Sequence, residues 1–441
     1  MRIASFEAFA ILALTIGVSL ARPRIGRVRI APAAAASLGA ALSLALGLVP
    51  IGLVFLSLEL LFFPIVTIVC LMIITQIAER SGLFDLLSRR IAVAAKGSGR
   101  RLFTYVFAYG SLTGMLFTND AAVLIFTPLV FQLIERVQGE SWTLRSKIPF
   151  YFAVLYVANL VGALVTSNPI NIVVASLFHI SFLDYALWMF LPAAASILVS
   201  FTGLAIVFRK TLPRRYECRD LGEAAHDRRQ LALCSAVLGA ILVGFFTEGS
   251  TGVPTWLVAV AGAATLLVLH AVRGKGSTLS VLRGVGWDVL VFVTGIFVVV
   301  MGLRRAGLTR EIGLLLSRLA AMGTVKMTLG TSLFAAVCSS ILNNHPTADM
   351  MGWAIRDLSA PLLQTKALAL AALIGGDLGP KMLPIGSLAA LIWFRLLRDR
   401  GVEIPYSLYV RIGVPVTLAA ILAAVFVLNL ELAIAGHRLL S

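Results

Sequence analysis

Apolar runs of about twenty residues recur along the whole chain, and no polar stretch between them is long enough to fold by itself. A helix needs roughly 20 mostly apolar residues to cross the hydrocarbon core of a bilayer. That spacing confines the chain to an all-α polytopic membrane protein. Ten candidate crossings lie near residues 4–20, 31–49, 55–78, 149–179, 184–208, 231–248, 254–272, 287–303, 361–394 and 405–430. A hydrophobic share of 59% agrees, because a soluble globule of that composition lacks the polar surface it needs. Two more apolar segments, 102–134 and 327–355, carry polar residues at their centres and read as re-entrant hairpins.

The net charge of +16 would suggest nucleic acid in a soluble protein. Here the basic residues sit between apolar runs, so they are topology signals and no nucleic-acid partner is expected. If the chain starts outside and both hairpins return to their own side, basic residues favour the inner connections by roughly three to one. The first run resembles a signal peptide, but Arg22, Arg24, Arg27 and Arg29 follow it and only Arg2 precedes it. That order fits an uncleaved first span. The stretch 82–95 reads as an amphipathic helix at the inner surface. Cys70, Cys218, Cys234 and Cys338 form no CxxC and no cluster, which argues against a disulfide framework or a metal site. No cofactor is implied.

The chain echoes itself. Phe117-Thr-Asn-Asp-Ala-Ala122 precedes Thr166-Ser-Asn-Pro-Ile-Asn171, and later Leu342-Asn-Asn-His-Pro-Thr347 precedes Gly375-Gly-Asp-Leu-Gly-Pro-Lys-Met-Leu-Pro-Ile-Gly-Ser387. Arg80-Ser-Gly-Leu83 and Arg305-Ala-Gly-Leu308 also match. Each half thus has a polar hairpin tip and then a long apolar segment broken by Pro and polar residues. Unpaired backbone groups in hydrocarbon cost several kcal/mol each, so such breaks persist only where they line a cavity or are buried in protein. Paired breaks in corresponding places are the sequence sign of a transporter site. The expected organisation is an N-terminal half 1–208, a basic cytoplasmic linker 209–230 and a C-terminal half 231–441. The halves would be inverted repeats with about ten spanning helices, two re-entrant hairpins and two broken helices.

Four stretches resemble the arsenite permease (ArsB-type) family of the ion transporter superfamily. They are Phe117–Pro128, Asn168-Pro-Ile-Asn-Ile-Val173 with His179-Ile-Ser-Phe182, Leu342–Thr347, and Gly376–Ala389. The last is the most specific, and the likeness runs from about residue 50 to about 430. His345 stands where relatives often carry an apolar residue, and Ala121 where Gly is frequent. The resemblance implies an inner-membrane exporter of trivalent arsenic and antimony hydroxides driven by the proton gradient, with arsenite, antimonite, protons and lipid as partners. It implies a cytosolic ATPase subunit in some members, and an elevator-like movement of inverted repeats.

Arsenous acid is a small, mostly uncharged triol-like solute, so its site needs amides, hydroxyls and backbone groups without a strong cation. Thr118, Asn119, Ser167, Asn168, Asn343 and Asn344 supply those types, although the same amides serve equally as helix caps. Asp120 and Asp377 are read as the intramembrane carboxylates, and Lys381 lies within a span. Asp120 is read as the proton carrier, and Asp377 with Lys381, four residues on, as a gate or a self-neutralising brace. A proton carrier must change its solvation between the two sides. His345 reads as a cap at a helix start, Asp349 as its neighbour one turn on, and Cys338 as a small buried residue.

Two alternatives stand beside this reading. A Na+/H+ antiporter or a carboxylate carrier of the same superfamily shares the architecture, but the Thr-Asn-Asp and Asn-Asn-His tips differ from the paired Ser-Asn-Thr tips of carboxylate carriers. An intramembrane enzyme would need a nucleophile–base or metal pair on facing helices, and no such spacing is present. No Walker loop is present either, so the chain itself is no ATPase.

Overall fold

Helix is how an apolar run satisfies its own backbone in lipid, and the computed structural model is helical almost throughout the residues it describes, 2–25, 28–137, 142–216, 228–272 and 277–440. The side chains of Asn119, Asp120 and Ala121 lie outside the description. The helices are α1 (Arg2–Ala21), α2 (Pro32–Ala45), α3 (Ile51–Arg80), α4 (Leu83–Ala94), α5 (Gly99–Leu116), α6 (Asn119–Val137), α7 (Leu144–Val157), α8 (Pro169–Leu177), α9 (Phe182–Phe208) and α10 (Arg228–Phe246). They continue as α11 (Glu248–Thr251), α12 (Thr255–Val272), α13 (Thr278–Arg283), α14 (Trp287–Arg305), α15 (Leu308–Ala321), α16 (Thr324–Leu342), α17 (Asn344–Arg356), α18 (Leu362–Leu378), α19 (Leu388–Arg398) and α20 (Tyr406–Leu440). A two-residue ribbon pairs Arg24 with Arg29 between α1 and α2.

Among the described residues, nine helices are long and apolar enough to cross a membrane: α1, α3, α9, α10, α12, α14, α16, α18 and α20. Three of the expected crossings differ. The run at 31–49 forms only the 14-residue α2, about 21 Å at 1.5 Å per residue, because Gly47 at φ +69° turns the chain after Ala45. The run at 149–179 is two shorter helices, α7 and α8, and that at 361–394 is α18 and α19, each pair parted by an irregular stretch. Conversely, α16, read as a hairpin arm, has the length and hydropathy of a full span. Of the expected linker, residues 217–227 lie outside the described residues, and α10 already begins at Arg228.

One order of elements occurs twice. A long helix, a short amphipathic helix, two helices parted by one or two residues, a helix, a break, a short helix and a long helix make up α3–α9 and again α14–α20. The amphipathic helices follow a glycine in the left-handed region each time, Gly82 at φ +82° and Gly307 at φ +89°. Each buries one face, Phe84, Ser88, Ile91 and Ala92 on α4 and Thr309, Ile312, Gly313 and Leu316 on α15, as helical spacing requires.

Burial sorts the helices by neighbour. The apolar window of α10 is only 17% buried, whereas that of α18 is 72% buried. The outer surface therefore presents large apolar side chains such as Phe55, Leu187, Val243 and Phe426, as a lipid-facing surface does. The inner helices meet through small residues. Gly375 of α18 and Gly379, just past its end, lie against the backbone of Ser332 and Ala336 on α16, so close that a Cβ would strike it. Ser332 Oγ donates to the Ala371 carbonyl at 2.7 Å, and Ser340 Oγ to that of Gly379 at 2.7 Å. Gly114 of α5 meets the Val157 backbone of α7 in the same manner, and Gly110 meets the Val157 side chain. Apolar burial drives no helix association inside lipid, so close packing and interhelical hydrogen bonds carry it. Gly375→Val should therefore destabilise the detergent-solubilised protein by about 1–3 kcal/mol, read as a lower melting temperature; an unchanged melting temperature would contradict this seam.

Candidate functional site

The two irregular stretches are where the backbone leaves helix inside the buried core. The chain leaves α7 after Val157, makes a single 3-10 turn at Val165–Ser167 and re-enters helix at Pro169. It leaves α18 after Leu378, makes 3-10 turns at Gly379–Lys381 and Pro384–Gly386, and re-enters at Leu388. Proline explains much of this: a residue before Pro avoids the helical region. Asn168 before Pro169 and Leu383 before Pro384 are both extended. The re-entry caps match closely. Asn168 has φ −145° and ψ 135°, and its Oδ1 accepts from Ile170 N at 3.4 Å. Ser387 has φ −138° and ψ 129°, and its Oγ accepts from Ala390 N at 3.3 Å. Each satisfies donors that the new helix leaves open.

The two breaks cross and hold each other. Asp377, 1% exposed at the end of α18, accepts three hydrogen bonds from the other break: Asn168 Nδ2 donates to Oδ1 at 2.6 Å, and Gly162 N and Asn171 Nδ2 donate to Oδ2 at 3.1 and 3.2 Å. In return Ser387 Oγ donates to Oδ1 of Asn159, just past the end of α7, at 3.1 Å. In each direction the polar residue ending one half-helix thus receives the cap of the opposite half-helix. A Cβ on Gly162 would collide with Ser167 and Asn171, so the backbone N–H reaches the carboxylate only because glycine stands there.

The expected Asp377–Lys381 pair does not close. The helix tightens to a 3-10 turn at Gly379–Lys381, where residues three apart align and the four-residue relation is lost. Lys381 is 1% exposed; its Nζ lies 4.8 Å from the centre of the Tyr156 ring and has no hydrogen-bond partner among the described residues. Of the other expected site residues, Ser167 spends its hydroxyl on the Leu164 carbonyl at 2.8 Å. Thr118 is buried at the turn between α5 and α6, and its Oγ1 has no hydrogen-bond partner among the described residues. Asn343, at φ +81° and ψ 158°, forms the turn between α16 and α17, and its Oδ1 accepts from His345 N at 3.3 Å. The cap is thus Asn343, not His345. A non-glycine residue in that region costs of order 1–3 kcal/mol. Asn344 is half-buried. The Asn119 and Asp120 side chains lie outside the described residues, although their backbone opens α6.

The sequence reading missed Asn159, Gly162, Asn171 and Ser387 as members of the crossing. Asn159 and Asn171 carried a signal, each being an amide inside an apolar run. Ser387 was quoted as a break residue, without a partner.

Two cavities are lined by polar residues, the second partly by the first break. One, of about 180 Å³, is lined by Thr75, Gln76, Glu79, Thr118, Asp288 and Phe292 among others. Beyond its wall the Phe292 ring meets the His345 imidazole edge-on, centres 5.8 Å apart. A second, of about 150 Å³, is lined by Thr67, Val165, Thr166, Glu248 and Thr255 among others. Among the described residues, no group of three or more His, Cys, Asp or Glu is placed to hold a metal ion. Cys70, Cys234 and Cys338 are free thiols.

Comparison with known proteins adds a family. A family model described as arsenical pump membrane protein matches residues 8–432. The chain is 34% identical over 404 residues to an arsenical pump membrane protein of Escherichia coli, covering 90% of this chain and 93% of the relative. It is 24% identical over 384 residues to a putative arsenical pump membrane protein of Bacillus subtilis (82% and 86% covered). Among solved structures, the YdaH transporter of Alcanivorax borkumensis shares the fold with a TM-score of 0.55 at 16% identity, covering 98% of each chain.

Because the three donors to Asp377 have no other acceptor among the described residues, Asp377→Asn should set an amide against N–H groups and destabilise the protein by about 1–3 kcal/mol per orphaned donor. Adding Asn168→Asp reverses the polarity of the 2.6 Å bond and should recover part of the melting temperature and transport. A double variant no better than Asp377→Asn would show that this contact does not bind the breaks together.

Proposed function

The chain belongs to the arsenical pump membrane protein family, multi-pass transporters of the bacterial inner membrane and not enzymes, and on that premise we propose that it exports As(OH)3 and Sb(OH)3 in exchange for inward protons. We read residues 1–208 and 231–441 as inverted repeats whose tips, α5–α6 and α16–α17, enter from opposite leaflets as re-entrant hairpins.

The observation that carries this reading is the reciprocal crossing of the two breaks. It sets amides and a carboxylate at the buried meeting point, with one ammonium kept out of ion-pairing distance. A triol-like neutral solute both donates and accepts hydrogen bonds, and such a lining suits it better than it suits an anion, which would want an exposed cation. Thr118 Oγ1, Lys381 Nζ and, at the crossing itself, Asn171 Oδ1 are buried and without a hydrogen-bond partner among the described residues, so they have bonding capacity to spare, and Asn343 and Asn344 stand at the second tip. Bonds to a solute would replace those each group otherwise lacks, and a buried polar group gains most from such a partner. Asp377, with both oxygens engaged, acts in this reading as a fixed anion that aims the amides of Asn168 and Asn171. Asp120, at the first tip, is the proton carrier that exchanges sides with the solute. Polar groups at membrane depth are costly and are retained for such roles. Tight As(III) binding wants two or three thiolates together, which a carrier that must release its cargo avoids; among the described residues no such cluster is placed.

Everted membrane vesicles test the reading. Arsenite should accumulate against its gradient when the vesicle interior is acidic, and collapse of the pH gradient should abolish the accumulation. Asp120→Asn should lose the driven accumulation as well. Sodium-driven uptake, or uptake of citrate in place of arsenite, would overturn the assignment in favour of a cation antiporter or a carboxylate carrier.

A further inference from the structure

We propose that Asp349 is a second proton-binding residue of the transport cycle, placed behind His345 at the tip of the second helix pair. The inference rests on proton coupling as read above and adds a residue that reading does not use.

The case begins with hydrogen bonds. Asp349 is 6% exposed on α17, and among the described residues its carboxylate takes part in no hydrogen bond and no ion pair. Asp377 differs in kind. Its three partners are N–H groups, which only donate, so a proton on Asp377 would displace a bond. A proton on Asp349 displaces nothing.

The neighbours supply no fixed counter-charge. Helix α8, packed against α17, contains no titratable residue. On α14 the charges are Asp288, Arg304 and Arg305 at the two ends; Arg304 is held by Asp357 at 2.7 and 3.0 Å, and Arg305 donates to the Leu48 carbonyl at 3.3 Å. Helix α15 carries Arg310, Glu311 and Arg318, and α16 carries Lys326 and Cys338. On α18, Lys366 is paired with Asp184 and Asp377 with its amides. Along α17 itself stand His345 and, at its last turn, Arg356 beside the Trp353 ring. A buried carboxylate with no cation and no donor is balanced by a proton or not at all.

A route to the site is also present. His345 lies four residues before Asp349, on the same face of α17. Its ring meets that of Phe292, and Phe292 lines the cavity that Glu79 and Asp288 also line. Phe292 thus touches both the cavity and His345, the residue one helical turn before Asp349. The two tips also correspond: Asp120 stands two residues after Thr118, and His345 two residues after Asn343. Each tip therefore places a titratable side chain at the same offset, and the second tip adds Asp349 one turn on.

The test uses the whole protein reconstituted in liposomes, with arsenite as the probe and two readouts: accumulation driven by a pH gradient, and arsenite–arsenite counterflow at equal pH. For Asp349→Asn we expect driven accumulation to fall at least about tenfold with counterflow within about twofold of wild type, since a proton site affects only the coupled step. Asp349→Glu should keep measurable driven accumulation. Asp377→Asn, by contrast, should lose both activities. Driven accumulation by Asp349→Asn equal to wild type would overturn the proposal, as would parallel loss of both activities in Asp349→Asn and Asp349→Glu, which would mark a structural role. Wild-type protein that ignores the pH gradient would instead remove proton coupling itself, an outcome visible in the wild-type arm alone.

Discussion

A carboxylate withdrawn from water must find donors, and Asp377 finds three of them, all on the opposite break. The remaining architecture follows from that requirement. Each irregular stretch exposes backbone groups that lipid cannot satisfy, so neither is tenable alone. Brought together they become mutually satisfying: Asp377 gathers Gly162, Asn168 and Asn171, while Asn159 receives Ser387. The caps Asn168 and Ser387 serve twice, closing the start of their own helices and bridging to the other break. Residues first legible as ordinary helix caps thus join the two halves of the molecule, and the capping and site readings of Asn168 describe one arrangement.

Close approach makes the crossing reachable. Gly375 and Gly379 bring α18 onto the backbone of α16, and Gly110 and Gly114 bring α5 onto α7. The glycines lie on the broken helix in one seam and on the tip helix in the other, so similar proximity is reached from opposite partners. Around this core the outer helices present apolar side chains outward.

The fold class was legible almost entirely, because apolar run length and backbone satisfaction in lipid leave a small choice. The break positions were legible from Pro169, Pro380 and Pro384 and the polar residues beside them. Helix lengths were less so. Run length counts apolar residues, whereas α2 ends at a glycine turn and α16 continues through serines that bond to α18. Within the site, Asn168 and Asp377 were named from the sequence and do meet. The Asp377–Lys381 pairing failed because a four-residue rule presumes α-helix, and the chain there is 3-10.

By itself the sequence determined that this chain is a helical membrane protein with two interrupted segments carrying uncharged polar side chains, and with acids near the tips and the second break. These are consequences of local chemistry: apolar length, proline, and the cost of a bare amide in hydrocarbon. Tertiary structure alone decided which polar group answers which, that Asp377 accepts three hydrogen bonds while Lys381 Nζ has no partner among the described residues, and that Gly162 is a donor. Partners more than 200 residues apart in the chain leave no periodic trace in the sequence, and hydrogen-bond satisfaction is a property of the closed packing, not of any segment within it.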